Sequence, residues 1–155
     1  MPSGIEERLA KLGRSLPAAA APAANYVPWA VSRGMVWIAG QLPLRDGKPT
    51  LTGKLGQGVT IEAAQEAAAV CALNVLAQLK SACAGDLGKV ARCVKLVGFV
   101  NSTPGFAEHH KVVNGASDLI VAAMAEAGRH ARSAVGVAGL PFDAAVEVEA
   151  VFELA

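Results

Sequence analysis

Charged side chains are scarce in this sequence, and the few present nearly balance. Asp, Glu, Lys and Arg make up 17% of the 155 residues, with 14 basic against 13 acidic residues spread along the chain. A protein that binds nucleic acid through its surface normally carries a cluster or stripe of Lys and Arg. No such cluster is present, so the sequence argues against a nucleic-acid partner.

Long apolar runs are missing too, although 53% of the residues are hydrophobic. The longest uncharged stretch, Ser15 to Ser32, is mostly alanine and is interrupted by Pro17, Pro22 and Pro28. A membrane span needs about 20 strongly apolar residues. Several charged residues also lie between positions 6 and 14, where a secretory signal would have its apolar core. We therefore expect no membrane contact, and we expect other copies of the chain to cover part of the apolar surface.

Cysteine is rare, and no metal-binding spacing occurs. The chain has 3 cysteines, an odd number that, without a signal peptide, favours the reducing cytoplasm. No Cys-x-x-Cys or His-x-x-x-His is present, and the adjacent His109 and His110 would point about 100° apart on a helix. The glycine-rich segment 53–58 matches neither nucleotide-binding fingerprint and is interpreted as a turn. The sequence thus predicts no metal site.

The residues that are present predict two long helices and one sheet. Thr60 is a helix cap, and apolar residues recur at helical spacing from Ile61 to Leu79. A second helix is predicted from Thr103-Pro104 to Gly128, and Asn114-Gly115 predicts either a kink in it or its division into two helices. The predicted strands are Tyr26–Ser32, Met35–Ala39, Arg92–Val100, Ser133–Ala138 and Val146–Leu154. The resulting order, ββαβαββ, predicts an α+β two-layer sandwich with one mixed or antiparallel sheet.

The domain prediction follows from this order. Residues 25–155 form a single domain, and residues 1–24 form an N-terminal arm with a short helix and a Pro/Ala-rich extended segment. Both long helices are expected on one face of the sheet. The other face is then left for a neighbouring subunit.

Arg132 is the strongest candidate for a binding residue. It stands at the start of an apolar strand, directly after a helix and turn. A guanidinium there must pair with an acid or receive an anionic ligand. The structural alternative is a salt bridge with Glu147, Glu149 or Glu153. The functional alternative is a planar fork that binds a substrate carboxylate through two hydrogen bonds.

Glu147 is equally ambiguous. It is one of three glutamates on the polar side of the last strand, where a solvated carboxylate is the simple interpretation. If the last two strands form a hairpin near residues 142–143, Glu147 lies closer to Val137 than to Arg132. A site using both side chains would then need a second chain or a less regular register.

Two segments resemble the RidA/YjgF-like family, also called the L-PSP endoribonuclease-like family. Residues 132–141 followed by 146–150 (RSAVGVAGLP and VEVEA) are similar to the family's C-terminal signature. Residues 35–43 (MVWIAGQLP) are similar to its second-strand signature ending in Gly-Gln-apolar-Pro. The resemblance covers residues 25–153 and implies a chorismate-mutase-like fold that assembles as a homotrimer, with clefts between subunits.

The resemblance also implies an activity and roles for individual residues. RidA proteins hydrolyse reactive 2-imino and enamino acids to 2-keto acids and ammonia, without metal or cofactor. By position, Arg132 matches the arginine that binds the substrate carboxylate, and Glu147 matches the glutamate that positions or activates water. Tyr26, Gly40 and Asn114 match residues of the substrate cleft.

The chain departs from RidA in ways that indicate a longer subgroup. Ala39 replaces a serine and Ala134 replaces a frequent cysteine, while the segment Thr103–Asn114 and the N-terminal arm are longer. The leading hypothesis is an imine/enamine deaminase acting on a small carboxylate-bearing imine. The alternatives are a non-catalytic trimer that binds a small carboxylate metabolite and, third, an endoribonuclease.

Overall fold

This computed structural model describes residues 4–22 and 24–155, and the predicted helices and strands lie within them. The helices are α1 (Gly4–Lys11), α2 (Ile61–Ala82) and α3 (His109–Met124). The long strands are β1 (Trp29–Ser32), β2 (Met35–Gln41), β7 (Val90–Asn101), β8 (Ala131–Val137) and β9 (Val146–Leu154). Four two-residue strands lie between β2 and α2: β3 (Leu44–Arg45), β4 (Lys48–Pro49), β5 (Lys54–Leu55) and β6 (Gly58–Val59).

The five long strands form one mixed sheet in the order β1-β2-β9-β7-β8. All neighbours are antiparallel except β7 and β8, which are parallel and connected through α3. The tight β1–β2 turn uses Arg33 and Gly34, both with positive φ, as a hairpin of this length requires. Together with the helices, this sheet confirms the predicted α+β fold.

The helices cover one face of the sheet and form the core with it. The α2 face predicted from spacing is fully buried at Ala64, Ala68, Cys71, Val75 and Leu79. Thr60 caps α2, since its side chain accepts a hydrogen bond from the Ala63 N–H. The apolar face of α3 is also buried: Val112, Val113, Ala116, Leu119, Ile120, Ala123 and Met124.

Two helix boundaries differ from prediction. The segment Thr103-Pro104-Gly105 forms a turn, because the Phe106 N–H donates to the Thr103 carbonyl and the Thr103 N–H donates to Leu55. The helix therefore begins at His109. It also ends at Met124 rather than Gly128, since Ala125 has a φ of 55° and a short 3-10 turn follows.

The α3 helix passes through Asn114-Gly115 without a break. At Gly115, α3 packs directly against the backbone of α2. A Cβ atom at this position would lie 2.6 Å from the Gln65 carbonyl carbon and nearer still to its oxygen. Glycine is therefore required for helix contact here and does not mark a break.

The opposite face of the sheet carries an apolar surface that no described helix covers. Trp37, Val151 and Lys95 lie side by side in one row across β2, β9 and β7. Phe99 and Val135 lie in another row, across β7 and β8. Trp37 is 54% exposed and Val135 is 43% exposed. We call this surface the open face.

The N-terminal arm contacts the helical layer. Arg8 of α1 donates to the Ala123 carbonyl of α3, at 3.2 Å. Arg14 makes a bidentate ion pair with Glu66 of α2, at 2.6 and 2.7 Å. Among the described residues, no helix has both the length and the apolar character needed to cross a membrane.

Candidate functional site

Arg132 lies on the helix-covered side of β8, at the edge of the sheet. Its backbone is in register with Leu96 of β7, whose side chain is buried under the helices. One guanidinium nitrogen, Nη1, donates to Asn114 Oδ1 at 2.9 Å and to Ser117 Oγ at 3.2 Å. The other, Nη2, donates to the His110 carbonyl at 3.2 Å. All three acceptors belong to α3, and all are neutral.

No acid neutralises this guanidinium within the described chain. None of the ion pairs formed by the described residues includes Arg132. The salt bridge with Glu147, Glu149 or Glu153 that the sequence left open does not form, because β7 lies between β8 and β9. A partly buried cation held by neutral oxygens is a natural receptor for an anion.

A histidine holds the partner of Arg132 in place. His130 Nδ1 lies 2.6 Å from the Gly128 carbonyl, which can only accept, so Nδ1 carries the proton. His130 Nε2 then accepts from the Ser117 hydroxyl, at 2.9 Å. The Ser117 oxygen is left to accept from Arg132. Each group along this series of contacts therefore has a compatible donor or acceptor. The series holds the Ser117 oxygen in place, and that oxygen orients the Arg132 guanidinium.

Glu147 lies on the opposite side of the sheet. It is in register with Phe99, on the open face, and is partly buried. Its carboxylate lies against Gly40, where β2 has an irregularity between Ile38 and Gln41. A Cβ atom on Gly40 would be 2.9 Å from the carboxyl carbon of Glu147. Burial, and secondarily the charge of Glu149, raises the pKa of Glu147 above its usual range.

The two principal candidates are therefore far apart in one chain. Arg132 aligns with Leu96, and Glu147 aligns with Phe99, three residues further along β7 and on its other side. Two strand spacings and three residues of rise separate their Cα atoms by about 14 Å. The last two strands do not form the hairpin considered from the sequence, because the β7–α3–β8 crossover inserts β7 between them. Of the two alternatives left by the sequence, a second chain or a less regular register, the register within one chain does not bring these side chains together.

The remaining candidates divide between these two places. Asn114 lies with Arg132, and Gly40 lies with Glu147. Tyr26 belongs to neither group in this chain. It is 53% exposed and precedes β1, which forms the sheet edge opposite to β8. The candidate residues thus form two groups, Arg132 with Asn114 and Glu147 with Gly40, which we call the Arg132 half-site and the Glu147 half-site.

Sequence reasoning missed a third cluster, around a pocket of about 640 Å³ at the carboxyl ends of β7 and β8. Ser102 Oγ lies 3.1 Å from His109 Nε2, and Lys54 lines the same pocket. Only the fold brings these residues together, and no spacing in the sequence predicts them. We call this cavity the Gly136 pocket, after the glycine that lies beside the serine and histidine.

The Ser102–His109 pair lacks the third member of a Ser–His–Asp triad among the described residues. No carboxylate hydrogen-bonds to His109 among the described residues. The backbone N–H groups of Ser102 and Thr103 already donate to Val137 and Leu55, so they cannot form an oxyanion hole. Ser133, on the neighbouring strand β8, accepts a hydrogen bond from Lys95 at 3.3 Å.

The cysteines are buried thiols in the core. Burial raises the pKa of Cys71 well above its usual range and that of Cys93 to about 12. Burial also raises the pKa of Cys83. A thiol that stays protonated is a poor nucleophile and metal ligand. Within the described residues, no cluster of three or more His, Cys, Asp or Glu side chains is placed to hold a metal ion.

Comparison with known proteins matches this fold and these segments to one family. Residues 6–154 match the family model described as "YjgF/chorismate_mutase-like, putative endoribonuclease". Protein TCP17 of Trypanosoma cruzi is 52% identical over 151 residues, 97% of this chain and 94% of that protein. The crystal structure of Atu1372 from Agrobacterium tumefaciens, described as of unknown function, has 51% identity and a TM-score of 0.92, covering 98% of this chain and 93% of that one.

A more distant structure shares the same architecture. The YjgF gene product of E. coli is 26% identical with a TM-score of 0.61, covering 87% of this chain and 92% of that one. The predicted resemblance is therefore confirmed. With a family match across nearly its whole length, the chain belongs to the YjgF/chorismate mutase-like family.

Proposed function

We propose that this protein is an imine/enamine deaminase that hydrolyses small 2-imino or 2-enamino acids to 2-keto acids and ammonia. The reaction takes place in clefts between the subunits of a homotrimer. Each cleft joins the Arg132 half-site of one subunit to the Glu147 half-site of its neighbour. The observation that carries the proposal is the guanidinium of Arg132, held in place by three neutral oxygens and left without an acid.

The distribution of apolar surface supports a site between subunits. Trp37 and Val135 are exposed on the open face, and Phe99 and Val151 lie between them on the same side. Burying such a surface against other copies is favourable at about 25 cal/mol per Å². Glu147 lies on that face, so assembly brings it close to a second subunit.

The reaction needs little beyond positioning. The carbon of a protonated imine is electrophilic, and water must be held beside it. Arg132 binds the substrate carboxylate, while Glu147 of the partner subunit orients the water and accepts a proton as the new C–O bond forms. Because burial raises the pKa of Glu147 towards neutrality, the carboxylate is a stronger base than an exposed one. Collapse of the resulting amino alcohol releases ammonia and leaves the keto acid.

The test measures hydrolysis of imino acids that an amino-acid oxidase generates in situ. The readout is the rate of keto-acid formation. Arg132→Ala should lower kcat/KM by about 10- to 100-fold, because hydrogen bonds to charged groups contribute about 1.5–3 kcal/mol. Arg129→Ala is the matched control. Arg129 is three residues away, and its exposed side chain pairs only with Glu126 among the described residues. The control should keep wild-type activity.

Other results would replace the proposal. If the folded wild-type oligomer does not accelerate hydrolysis of any imine in a panel of side chains, the deaminase is refuted. Saturable keto-acid binding without turnover would then favour a metabolite-binding trimer. RNA cleavage that persists after rigorous removal of contaminating nuclease would favour an endoribonuclease.

A further inference from the structure

The residues assigned to the proposed deaminase do not line the Gly136 pocket. It opens where the parallel strands β7 and β8 end, and the loop from β5 to β6 and the turn before α3 form its walls. Arg132 does not line it. Gly136 is four residues further along β8, about 13 Å at 3.3 Å per residue. Its chemistry must therefore be interpreted separately.

Lys54 gives the pocket a fixed positive charge. Its Nζ donates to Asn101 Oδ1 at 2.6 Å and to the Ala138 carbonyl. Both acceptors are neutral, and an ammonium has three protons, so one remains for a ligand. Asp143 joins this network only through the Asn101 amide. Among the described residues, no carboxylate lines the pocket. An anion there is therefore not repelled by a negative side chain.

Two glycines leave room for polar groups in the wall. A Cβ atom on Gly136 would lie 2.6 Å from Ser102 Oγ and nearer still to His109 Nε2. A Cβ atom on Gly56 would overlap the Thr103 hydroxyl. The absence of side chains at both positions lets the serine, threonine and histidine approach the pocket. The Thr103 hydroxyl can donate to the oxygens of an anion, and the Ser102 hydroxyl can do so when His109 Nε2 is the donor in their shared hydrogen bond.

Apart from Gln57, the rest of the lining is apolar. Phe106, Pro104 and Val137 border the pocket, and the ring of Phe106 packs edge-on against His109, with centroids 5.2 Å apart at 89°. Ligand sites typically combine such apolar walls with a few convergent polar groups, and 640 Å³ is within their usual range of about 300–1,000 Å³. We infer that the Gly136 pocket binds a small organic carboxylate, with the carboxylate at Lys54 and an apolar body against Phe106 and Val137.

The experiment titrates phenylacetate into the full-length, ¹⁵N-labelled oligomer and follows the amide signals of Gly136 and Gly56. Phenethyl alcohol, which lacks the charge, and inorganic phosphate, which lacks the apolar body, are the comparison probes. Phenylacetate should shift these two signals until they saturate. Phenethyl alcohol and phosphate should bind with a Kd at least tenfold higher. Equal binding of phenethyl alcohol, binding of phosphate alone, or no shift at these glycines overturns the inference.

Variants assign the binding to Lys54. Lys54→Gln should weaken phenylacetate binding at least tenfold, since a charge-assisted hydrogen bond is lost. Gln57→Glu is the second variant, because Gln57 is exposed and lines the pocket, so a carboxylate there repels the ligand without disturbing the fold. Lys48→Gln on exposed β4 is the charge-matched control and should bind as the wild type does.

Arg132→Gln separates this pocket from the proposed deaminase site. Binding at Gly136 should survive in that variant, and it should survive even if the protein hydrolyses no imine. If the shifts at Gly136 disappear in Arg132→Gln but persist in both Lys54→Gln and Gln57→Glu, the ligand occupies the Arg132 half-site and the inference is refuted.

Discussion

Replacing Gly40 with alanine tests the half-site that Glu147 supplies. The added Cβ would lie 2.9 Å from the Glu147 carboxyl carbon and 3.3 Å from its Cγ. Carbon atoms in contact are about 3.5–4.0 Å apart, so the carboxylate must move by roughly 1 Å. A displacement of that size at a reacting group can cost about 100-fold in rate. We therefore expect Gly40→Ala to lower kcat/KM for imine hydrolysis by about 100-fold.

The fold should tolerate this change. Gly40 is exposed and has no positive φ, and within 4 Å the three atoms nearest to the added Cβ all belong to the flexible Glu147 side chain. The thermal midpoint should therefore stay within about 2 °C of the wild type. Gly105→Ala is the matched control, because a Cβ there would meet nothing within 4 Å. That control should change neither activity nor stability.

Two measurements identify Glu147 as the cause. In a double-mutant cycle, Gly40→Ala should add little to the loss already produced by Glu147→Gln, because both disable the same carboxylate. Titration of the Glu147 carboxyl by NMR should show its pKa returning towards the usual range in Gly40→Ala, since the group moves towards solvent. Full activity in Gly40→Ala, or losses that simply add, would refute this reasoning.

Three further predictions concern packing, pH and assembly. Gly115→Ala forces α2 and α3 apart. Overpacking costs about 3 kcal/mol and the higher helix propensity of alanine returns about 1 kcal/mol, so the free energy of unfolding falls by about 2 kcal/mol. The thermal midpoint should therefore fall by about 4–8 °C. The raised pKa of Glu147 means that its stabilising contribution is present below the unfolded value of about 4.3 and is lost as pH rises through the folded value. As the pH is raised from 4 to 8, the thermal midpoint of Glu147→Gln should therefore rise relative to that of the wild type. Trp37→Glu on the open face should dissociate the oligomer in light scattering; an unchanged mass would contradict a trimer built on that face.

Patterns that depend on a single element were predictable from sequence. The buried faces of α2 and α3 follow from helical spacing, and Thr60 caps α2 because its side chain accepts a nearby backbone N–H. The start of α3 was not predictable by the same rules. Threonine followed by proline is as compatible with a turn as with a helix start, and the contact of Thr103 with Leu55 selects the turn.

The spacing of residues along the sequence did not predict the arrangements that depend on the β7–α3–β8 crossover. The last two strands are neighbours in sequence, yet β8 pairs in parallel with β7 and β9 pairs on the other side of β7. The contacts of Arg132 with Asn114 and Ser117 require α3 to lie over β8, which no local pattern encodes. Resemblance to a family assigned Asn114 to the cleft, whereas the Ser102–His109 pair carried no signal of either kind.

The opposite placement of Arg132 and Glu147 gives a quantitative test of a site shared between subunits. Arg132→Ala and Glu147→Gln alone should each retain at most about one tenth of wild-type activity. After the two proteins are unfolded together and refolded as a 1:1 mixture, each cleft of a cyclic trimer draws its arginine from one subunit and its glutamate from the next. Random assembly makes both residues native in about one quarter of clefts, so about 25% of wild-type activity should return. Mixing without unfolding is the control and should restore nothing if subunits do not exchange. A site within one chain has no intact copy in the mixture, and persistent inactivity of well-mixed trimers would refute the shared cleft.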